Sequence, residues 1–392
     1  MLRANHNVRR WRDGGDRLAD TLAVNDPVAG ALGWKQVHAP TMPPGCHGDR
    51  LISRTAADVS LVSVPAHFPR RGRARATAFG LLAGVVADQV AGDPRRGHPV
   101  ALFGTAAGRL ESLMWRDSRP AGAGYAAVLI AAPSVCGMLT VALVSRLSPW
   151  ARDVGLAAAT AAGTWAVLGG RSLAAEAEAV AAHLDRGDLP AARRQLTHLV
   201  GRRTDLLDEA EIARATVESL AENTSDAVVA PLLCGAVAGL PGLLAYRAVN
   251  TLDAMVGHHS PRYENFGWAS ARIDDVANYL PARLTAALTA VAAPVADGSG
   301  RAALAVARAD GRRHPSPNAG VAEAVFAGAL GLRLGGCNDY GSHVEDRPVL
   351  GGDGRAPRTA DIARAVRLSR AVIAAAAVAC AAVALARDWS CR

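Results

Sequence analysis

The chain is 392 residues long, half of them hydrophobic but only 4% aromatic, with a formal net charge of +8. Residues 1–75 supply six of those charges, twelve Lys/Arg against six Asp; the rest is nearly balanced and does not interleave basic with aromatic residues, which argues against nucleic acid as a partner. Lys35 is the only lysine, so the body of the chain has no Walker lysine, Schiff-base lysine or pyridoxal-phosphate anchor, and any phosphate there must be held by arginine, histidine, backbone amides or metal.

Residues 1–75 combine arginine pairs with Pro and Gly clusters and contain no apolar run of the kind a signal peptide needs. They read as an N-terminal extension, disordered or begun at a start codon set too far upstream, with the organised domain at 76–392. Its first segment, Thr77–Gln89, carries Asp88 and leads into Gly92-Asp93-Pro94 and His98-Pro99-Val100. Tyr125–Val144 is a run of 20 uncharged residues, about 30 Å as a helix and enough to cross a bilayer. Val154–Gly170 and Ala371–Ala386 are further candidate spans, and Leu284–Ala296 is a short, partly embedded one. The six cysteines form no CxxC pair, so neither a zinc site nor a disulfide framework is indicated. Cys136, Cys234 and Cys380 lie in apolar runs and read as core residues.

Between Arg171 and Asp226 the chain is polar and helical, with a turn at Gly201–Thr204. Glu211, Arg214, Glu218 and Glu222 then share one helical face. That stripe reads equally as a solvated face or as a polar face running into Asn223 and Asp226. Ala227–Tyr246 follows, wholly uncharged yet interrupted by Pro231, Gly235, Gly239, Pro241 and Gly242. A single crossing would put Asp226 and Asp253 on opposite sides of the membrane. Broken helices are tolerated where they line a protein cavity, so the expectation is a pair of half-helices turning near Gly239–Gly242 and returning both acidic ends to one face. The predicted fold is therefore all-α and polytopic, with about four to six membrane-embedded helical segments, one broken or re-entrant, joined by polar helical loops.

Charges beside a bilayer-length apolar run mark a functional site. Asn223-Thr-Ser-Asp226 and Asn250-Thr-Leu-Asp253 share an N-x-x-D pattern on either side of the apolar pair, and Asp274-Asp275 adds two carboxylates. Hard oxygen ligands in this number suit Mg²⁺, and Arg247, Arg272 and Arg283 can supply guanidinium forks for phosphate or carboxylate. In a second constellation, Asp310–Gly320, Ser316 and Pro317 read as the N-cap and first residue of a helix. Such a helix start can hold an anion, with Arg312, Arg313 and His314 adding positive charge, or can be an ordinary capped helix. His98 reads as a base, a phosphate contact or a structural histidine.

Several long stretches resemble the CobD/CbiB family, the membrane-bound cobinamide-phosphate synthases of cobalamin biosynthesis. They are Asp88–Val100, VESLAENTSDAVVAPL, YRAVNTLDAM, RYENFGWASARIDDVANYLPAR and DGRRHPSPNAGVAEA, followed by LGG. The resemblance covers about residues 77–370, in order. One departure is that the family pattern has an acidic residue after Gly-Arg at the 201–204 turn, where this chain has Arg203. The resemblance implies an acid–amine ligase in the cell membrane. It would join adenosylcobyric acid to (R)-1-aminopropan-2-yl phosphate, or aminopropanol, with Mg²⁺ and ATP, giving adenosylcobinamide phosphate beside other enzymes of the same pathway. With that reaction in view, Asp226, Asp253, Asp274 and Asp275 are expected to hold Mg²⁺, with Asp226 and Asp253 also catalytic. Arg247, Asn250, Arg272, Arg283, His314, Ser316 and Asn318 are expected to bind substrate and phosphate, and Glu222 or His98 to act as base. The rival expectations are an Mg²⁺-dependent intramembrane prenyltransferase, whose paired D-x-x-x-D spacing is missing, and a membrane transporter, against which stands the lack of an internal repeat.

Overall fold

The computed structural model describes residues 70–94, 97–258, 260–340 and 344–387. The expected N-terminal extension lies outside them except for its last six residues, which already belong to the first helix, α1 (Arg70–Ala91). After it come α2 (Pro99–Met114), α3 (Arg119–Val144) and α4 (Pro149–Val167). α1 lies against α4 because Gly80 and Gly84, one turn apart, face Thr160 and Thr164; a Cβ on Gly80 would come within 2.6 Å of the Thr160 Cβ. Small residues at such a contact let two membrane helices approach closely. The opposite side of α1 exposes Phe79, Leu82, Val86 and Val90, a stripe that suits lipid. α3 is the most exposed candidate span, with only 11% of its most apolar window buried. Cys136 sits on that exposed surface and is not the core residue its apolar surroundings suggested, whereas Cys380 is buried.

A polar helical section follows: α5 (Gly170–Asp185), α6 (Leu189–Leu196) and α7 (Glu209–Thr224). α7 starts at a capping box in which Asp208 accepts from Glu211 N and Glu211 accepts from Asp208 N, at 2.8 and 2.9 Å, satisfying two of the amides a helix start leaves open. A π-helical turn, Ser225–Val229, joins α7 to α8 (Ala230–Leu252), and a second, Asp253–Gly257, ends α8. Inside α8 the backbone leaves the helix at Gly239, with φ 68° and ψ −158°, a region open essentially to glycine alone. The chain reverses there. Tyr246 Oη lies 3.0 Å from the carbonyl oxygen of Asp226, twenty residues earlier, whereas a straight helix would put them about 30 Å apart. The expected re-entrant pair of half-helices is thus present, with both acidic ends on one face.

The chain continues through α9 (Trp268–Ala277), α10 (Tyr279–Ala292) with a 3₁₀ turn to Ala296, α11 (Gly300–Asp310) and α12 (Ala319–Leu330), and closes on α13 (Thr359–Ala386). A short antiparallel hairpin, β1 (Leu334–Asp339) and β2 (Val344–Leu350), precedes α13. α13 is the central pillar, packed on α1, α5, α7, α8 and α10; buried Ser369 on it lies 2.7 Å from Thr224 on α7. Among the described residues, four helical stretches are long and apolar enough to cross a membrane, Arg119–Val144, Glu209–Gly257, Tyr279–Ala296 and Thr359–Ala386, the second being the one reversed at Gly239. The protein is an all-α, polytopic membrane protein.

Packing separates the two arms of the reversal. The first arm contributes Val228, Val229 and Leu232 to the main core with α7, α12 and α13. The end of the second arm, Leu252 and Val256, packs instead with Tyr125 of α3 and Phe266, whose rings lie 5.0 Å apart. The polar stripe of α7 is not a solvated face. Glu218 is buried and accepts from Arg202 at 2.8 Å, Arg214 at 3.0 Å and Gly335 N at 2.8 Å, which fastens the β hairpin to α7. Removing one partner of such a buried pair costs about 3–5 kcal/mol. The departing residue Arg203 is exposed and pairs with Asp205 at 2.7 Å, so the turn's inward role belongs to Arg202.

In a background free of the native cysteines, single cysteines at Leu206 and Glu264 are expected to label from the same side of the membrane in intact vesicles. Labelling from opposite sides would contradict the reversal at Gly239.

Candidate functional site

The two Asn-x-x-Asp motifs have the same local structure. In each, the threonine hydroxyl bonds back to the carbonyl four residues earlier, Thr224 to Leu220 at 2.6 Å and Thr251 to Arg247 at 2.8 Å. In each, a π-helical turn follows, one containing Asp226 and one opening with Asp253. Single π turns inside helices re-aim side chains and occur often at functional sites. Asp253 folds back on its own turn so closely that a Cβ at Gly257 would overlap its carboxylate.

A chain of polar contacts ties the reversal to α9. Tyr246 donates to Asn278 at 2.6 Å, Asn278 donates to Asp274 at 2.9 Å, and Asn250 also bonds to Asp274. Arg247, itself buried, donates to Asn250 at 3.3 Å. Asp226, Asp253, Asp274, Asp275 and Glu222 all lie within electrostatic reach of one another's cluster. Burial, with the Asp275 charge beside it, pushes the Asp274 carboxyl up to about 7; burial also raises Asp275, partly offset by Arg272. Like charges this close cannot all ionise without a cation or protons between them.

The donors are the hard oxygens that Mg²⁺ prefers, and Asp274 Oδ1 is buried with no hydrogen-bond partner among the described residues. As the side chains stand, however, no three of His, Cys, Asp or Glu among the described residues converge on a metal position. Mg²⁺ habitually takes one or two carboxylates and completes its shell with water and substrate phosphate.

The remaining expected residues fall around this cluster. Arg283 donates to Asn318 at 2.7 Å, lies over the Tyr279 ring at 3.8 Å, and Asn318 in turn donates to the Asp275 carbonyl at 2.7 Å. Arg272 is exposed and 3.5 Å from Asp275, at the rim rather than inside. Ser316 accepts from the amides of Asn318 and Ala319 at 3.4 and 3.2 Å. The helix itself begins at Ala319 with Asn318 as N-cap, two residues later than expected. His314 is buried, its Nδ1 accepting from Ser316 N at 3.0 Å; burial, then the Arg347 charge, lowers it to about 4. His98 stands apart as the N-cap of α2, with Nδ1 accepting from Val100 N at 3.2 Å and Nε2 3.4 Å from Asp93. Asp93 is near enough to Arg247 to interact electrostatically, and Pro99 and Val100, next to His98, line one cavity with Arg247.

Three residues at the site were not singled out from the sequence: Tyr246, Glu323 and Arg347. Tyr246 was counted only as the end of an apolar run. Glu323 had a signal, being the one charge in the otherwise uncharged α12, AGVAEAVFAGAL. Arg347 had none, because it arrives on the unforeseen β hairpin.

The family described as "CobD/Cbib protein" matches residues 81–369. The chain belongs to the CobD/CbiB family. Among curated relatives, a protein named "Cobalamin biosynthesis protein CobD" from Mycobacterium tuberculosis (strain CDC 1551 / Oshkosh) is 52% identical over 77% of this chain and 94% of its own length. Proteins of the same name from Geobacter metallireducens and Rhodobacter capsulatus are each 45% identical, over 69% and 71% of this chain and 85% and 87% of theirs. No solved structure matches. The matched span contains every CobD/CbiB-like motif and all of the polar cluster, and leaves out the N-terminal segment.

The low His314 value has a sign that can be checked. Its contribution to stability is complete above the unfolded value near 6.5 and is lost as pH falls toward 4, because the unfolded chain binds the proton more readily. Thermal unfolding in detergent should therefore show a loss on the order of 3 kcal/mol across that window, and His314→Asn should flatten it. An unchanged acid limb in His314→Asn would assign the loss to other groups.

Proposed function

We propose that this CobD/CbiB protein acts in cobalamin biosynthesis as an acid–amine ligase, joining the free carboxylate of adenosylcobyric acid to (R)-1-aminopropan-2-yl phosphate (or aminopropanol) to give adenosylcobinamide phosphate. The observation that carries the reading is the convergence, at one face of the reversed α8, of two like-built Asn-x-x-Asp turns with Asp274 and Asp275. The family membership and the relatives' names support the pathway.

A carboxylate is a poor electrophile, so amide formation requires its activation, as an acyl phosphate formed with ATP. Of the acidic cluster, one or two of Asp226, Asp253, Asp274 and Asp275 would hold Mg²⁺, which would supply charge stabilisation at transferring phosphoryl oxygens. With Lys35 the only lysine in the chain, phosphate binding falls to arginine and backbone amides. Arg283, bonded to Asn318, and Arg247, bonded to Asn250, would orient it, and exposed Arg272 would meet it at the rim. Glu222, half-buried beside the cluster, would take a proton from the incoming ammonium. His98, whose Nδ1 caps α2, is the weaker candidate for that role.

Membranes containing the protein, given adenosylcobyric acid, aminopropanol phosphate and Mg²⁺, should form the amide only when ATP is present, read by product mass. Asp253→Asn should reduce turnover by at least about a hundredfold, the scale of losing one charge-stabilising group, while inserting normally. No product from well-inserted wild-type protein would overturn the ligase reading, and product from Asp253→Asn at the wild-type rate would remove Asp253 from the site.

A further inference from the structure

Tyr279–Ala296, which is α10 with its 3₁₀ turn, is long and apolar enough to cross a membrane, yet its contacts with α13 hold it out of that course. α13 changes character along its length. Its first half carries Asp361, Arg364, Arg367 and Arg370, whereas Ala371–Ala386 is uncharged. Arg370 pairs with Glu178 of α5 at 2.9 Å. Past the uncharged run, Arg387 donates at 3.1 Å to the carbonyl of Ala236, beside the reversal. Charged side chains are costly inside a bilayer, so the embedded part of α13 lies between Arg370 and Arg387. Both ends of α10 are held at the Arg370 end. At its start, the Tyr246 hydroxyl lies 2.6 Å from Asn278 and 3.0 Å from the Asp226 carbonyl. Thr224, just before Asp226, lies 2.7 Å from Ser369 of α13. At its far end, Arg364 donates to the carbonyls of Ala296 and Asp297 at 3.2 Å, and Arg367 pairs with Asp297 at 3.3 Å. Arg364 is on the polar side of Ser369, about 8 Å along the helix. A crossing α10 would carry Ala296 about 27 Å in the opposite direction, toward Ala386.

We propose that α9 and α10 form an amphipathic strap lying in the membrane–water interface on the side of the polar cluster, with its exposed apolar stripe seated on the lipid surface. One side of α10 enters the main core through Ala286, Ala292 and Ala293. On the other side Leu280, Ala287, Val291 and Val295 are exposed, at the seven- and four-residue steps that keep to one helical face. Val276, at the end of α9, is 78% exposed and Val291 77%. An apolar stripe along a helix whose buried side is already packed calls for an apolar partner, and a helix of this kind lies in the interface plane. The level of the strap agrees. Trp268 opens α9 and lies under the Arg119 guanidinium at 5.3 Å, and Arg119 is the first residue of the α3 span. Tryptophan and arginine at span ends sit among the headgroups. Exposed Arg272 on the same helix is then at headgroup depth. Because α9 also carries Asp274 and Asp275, the strap sets the mouth of the polar cluster at the bilayer surface rather than in mid-membrane. None of this depends on the ligase reading.

The test is depth-dependent quenching of the full-length protein in lipid vesicles. Single cysteines replace Val276 or Val291 in a background free of the native cysteines and carry an environment-sensitive fluorophore; both positions are exposed, so folding is undisturbed. The vesicles contain phosphatidylcholine brominated either near the headgroup or near the chain ends. Val378, exposed within the embedded half of α13, and Leu206, exposed in the turn before α7, are the deep and aqueous references. Both strap positions should be quenched more by the headgroup-proximal bromines than by the chain-end ones, the reverse of Val378. Leu206 should respond to aqueous iodide alone. Quenching of Val291 strongest with the chain-end bromines would mean that α10 crosses the bilayer and would overturn the proposal. Quenching by iodide without bromolipid quenching at either strap position would place the stripe in water and also overturn it. Protection from both quenchers would show the stripe covered by a second protein surface, again contradicting a lipid partner.

Discussion

Everything at the polar centre of this protein depends on one backbone reversal inside an apolar helix. Gly239 adopts a conformation that a side chain would oppose, and the surrounding residues are small enough to let the arms close. A Cβ on Gly137 of α3 would meet the Pro241 backbone at 2.8 Å, and one on Gly235 would sit 3.0 Å from Leu81. Without the reversal, Asp226 and Asp253 would be separated by the length of a membrane span. With it, they flank the same small volume. The arms are then fixed by different packing clusters, the first against α7, α12 and α13 and the second against α3 and Phe266, so the seam between two cores holds the polar cluster.

The electrostatics follow from that seam. Five carboxylates gather where hydration is limited, and no balancing lysine exists in the described chain. Nearby arginines are distributed to the edges: Arg247 to Asn250, Arg283 to Asn318, and Arg202 and Arg214 to Glu218. The middle of the cluster is therefore left acidic, a setting that would suit a divalent cation. The paired arginines hold the walls while the carboxylates remain available.

Much of this was legible in the sequence because it rests on local signals. The run from Ala227 to Tyr246 declared its break through Gly239, Pro241 and Gly242, and its acidic ends through two copies of Asn-x-x-Asp. The spans at Arg119–Val144 and Thr359–Ala386 were visible in part, through the uncharged runs Tyr125–Val144 and Ala371–Ala386 inside them. What escaped notice is long-range. Whether the α7 stripe met water or protein depended on Arg202 and on a β hairpin whose Gly335 and Gly336 both take positive φ, a conformation no periodicity announces. Arg347 could not be placed before that hairpin was known. His98 read as a base, a phosphate contact or a structural histidine, and its Nδ1 caps α2. Ser316 was assigned the correct capping chemistry at a helix start that actually lies two residues on.

The central claim is that the two Asn-x-x-Asp turns form one site. The direct measurement is a double-mutant cycle on turnover with Asp226→Asn, Asp253→Asn and the pair. Residues that act as a unit are strongly non-additive, so the pair should lose little more activity than either single variant. Losses that multiply, each variant contributing its full effect in the presence of the other, would show two independent sites and contradict the account.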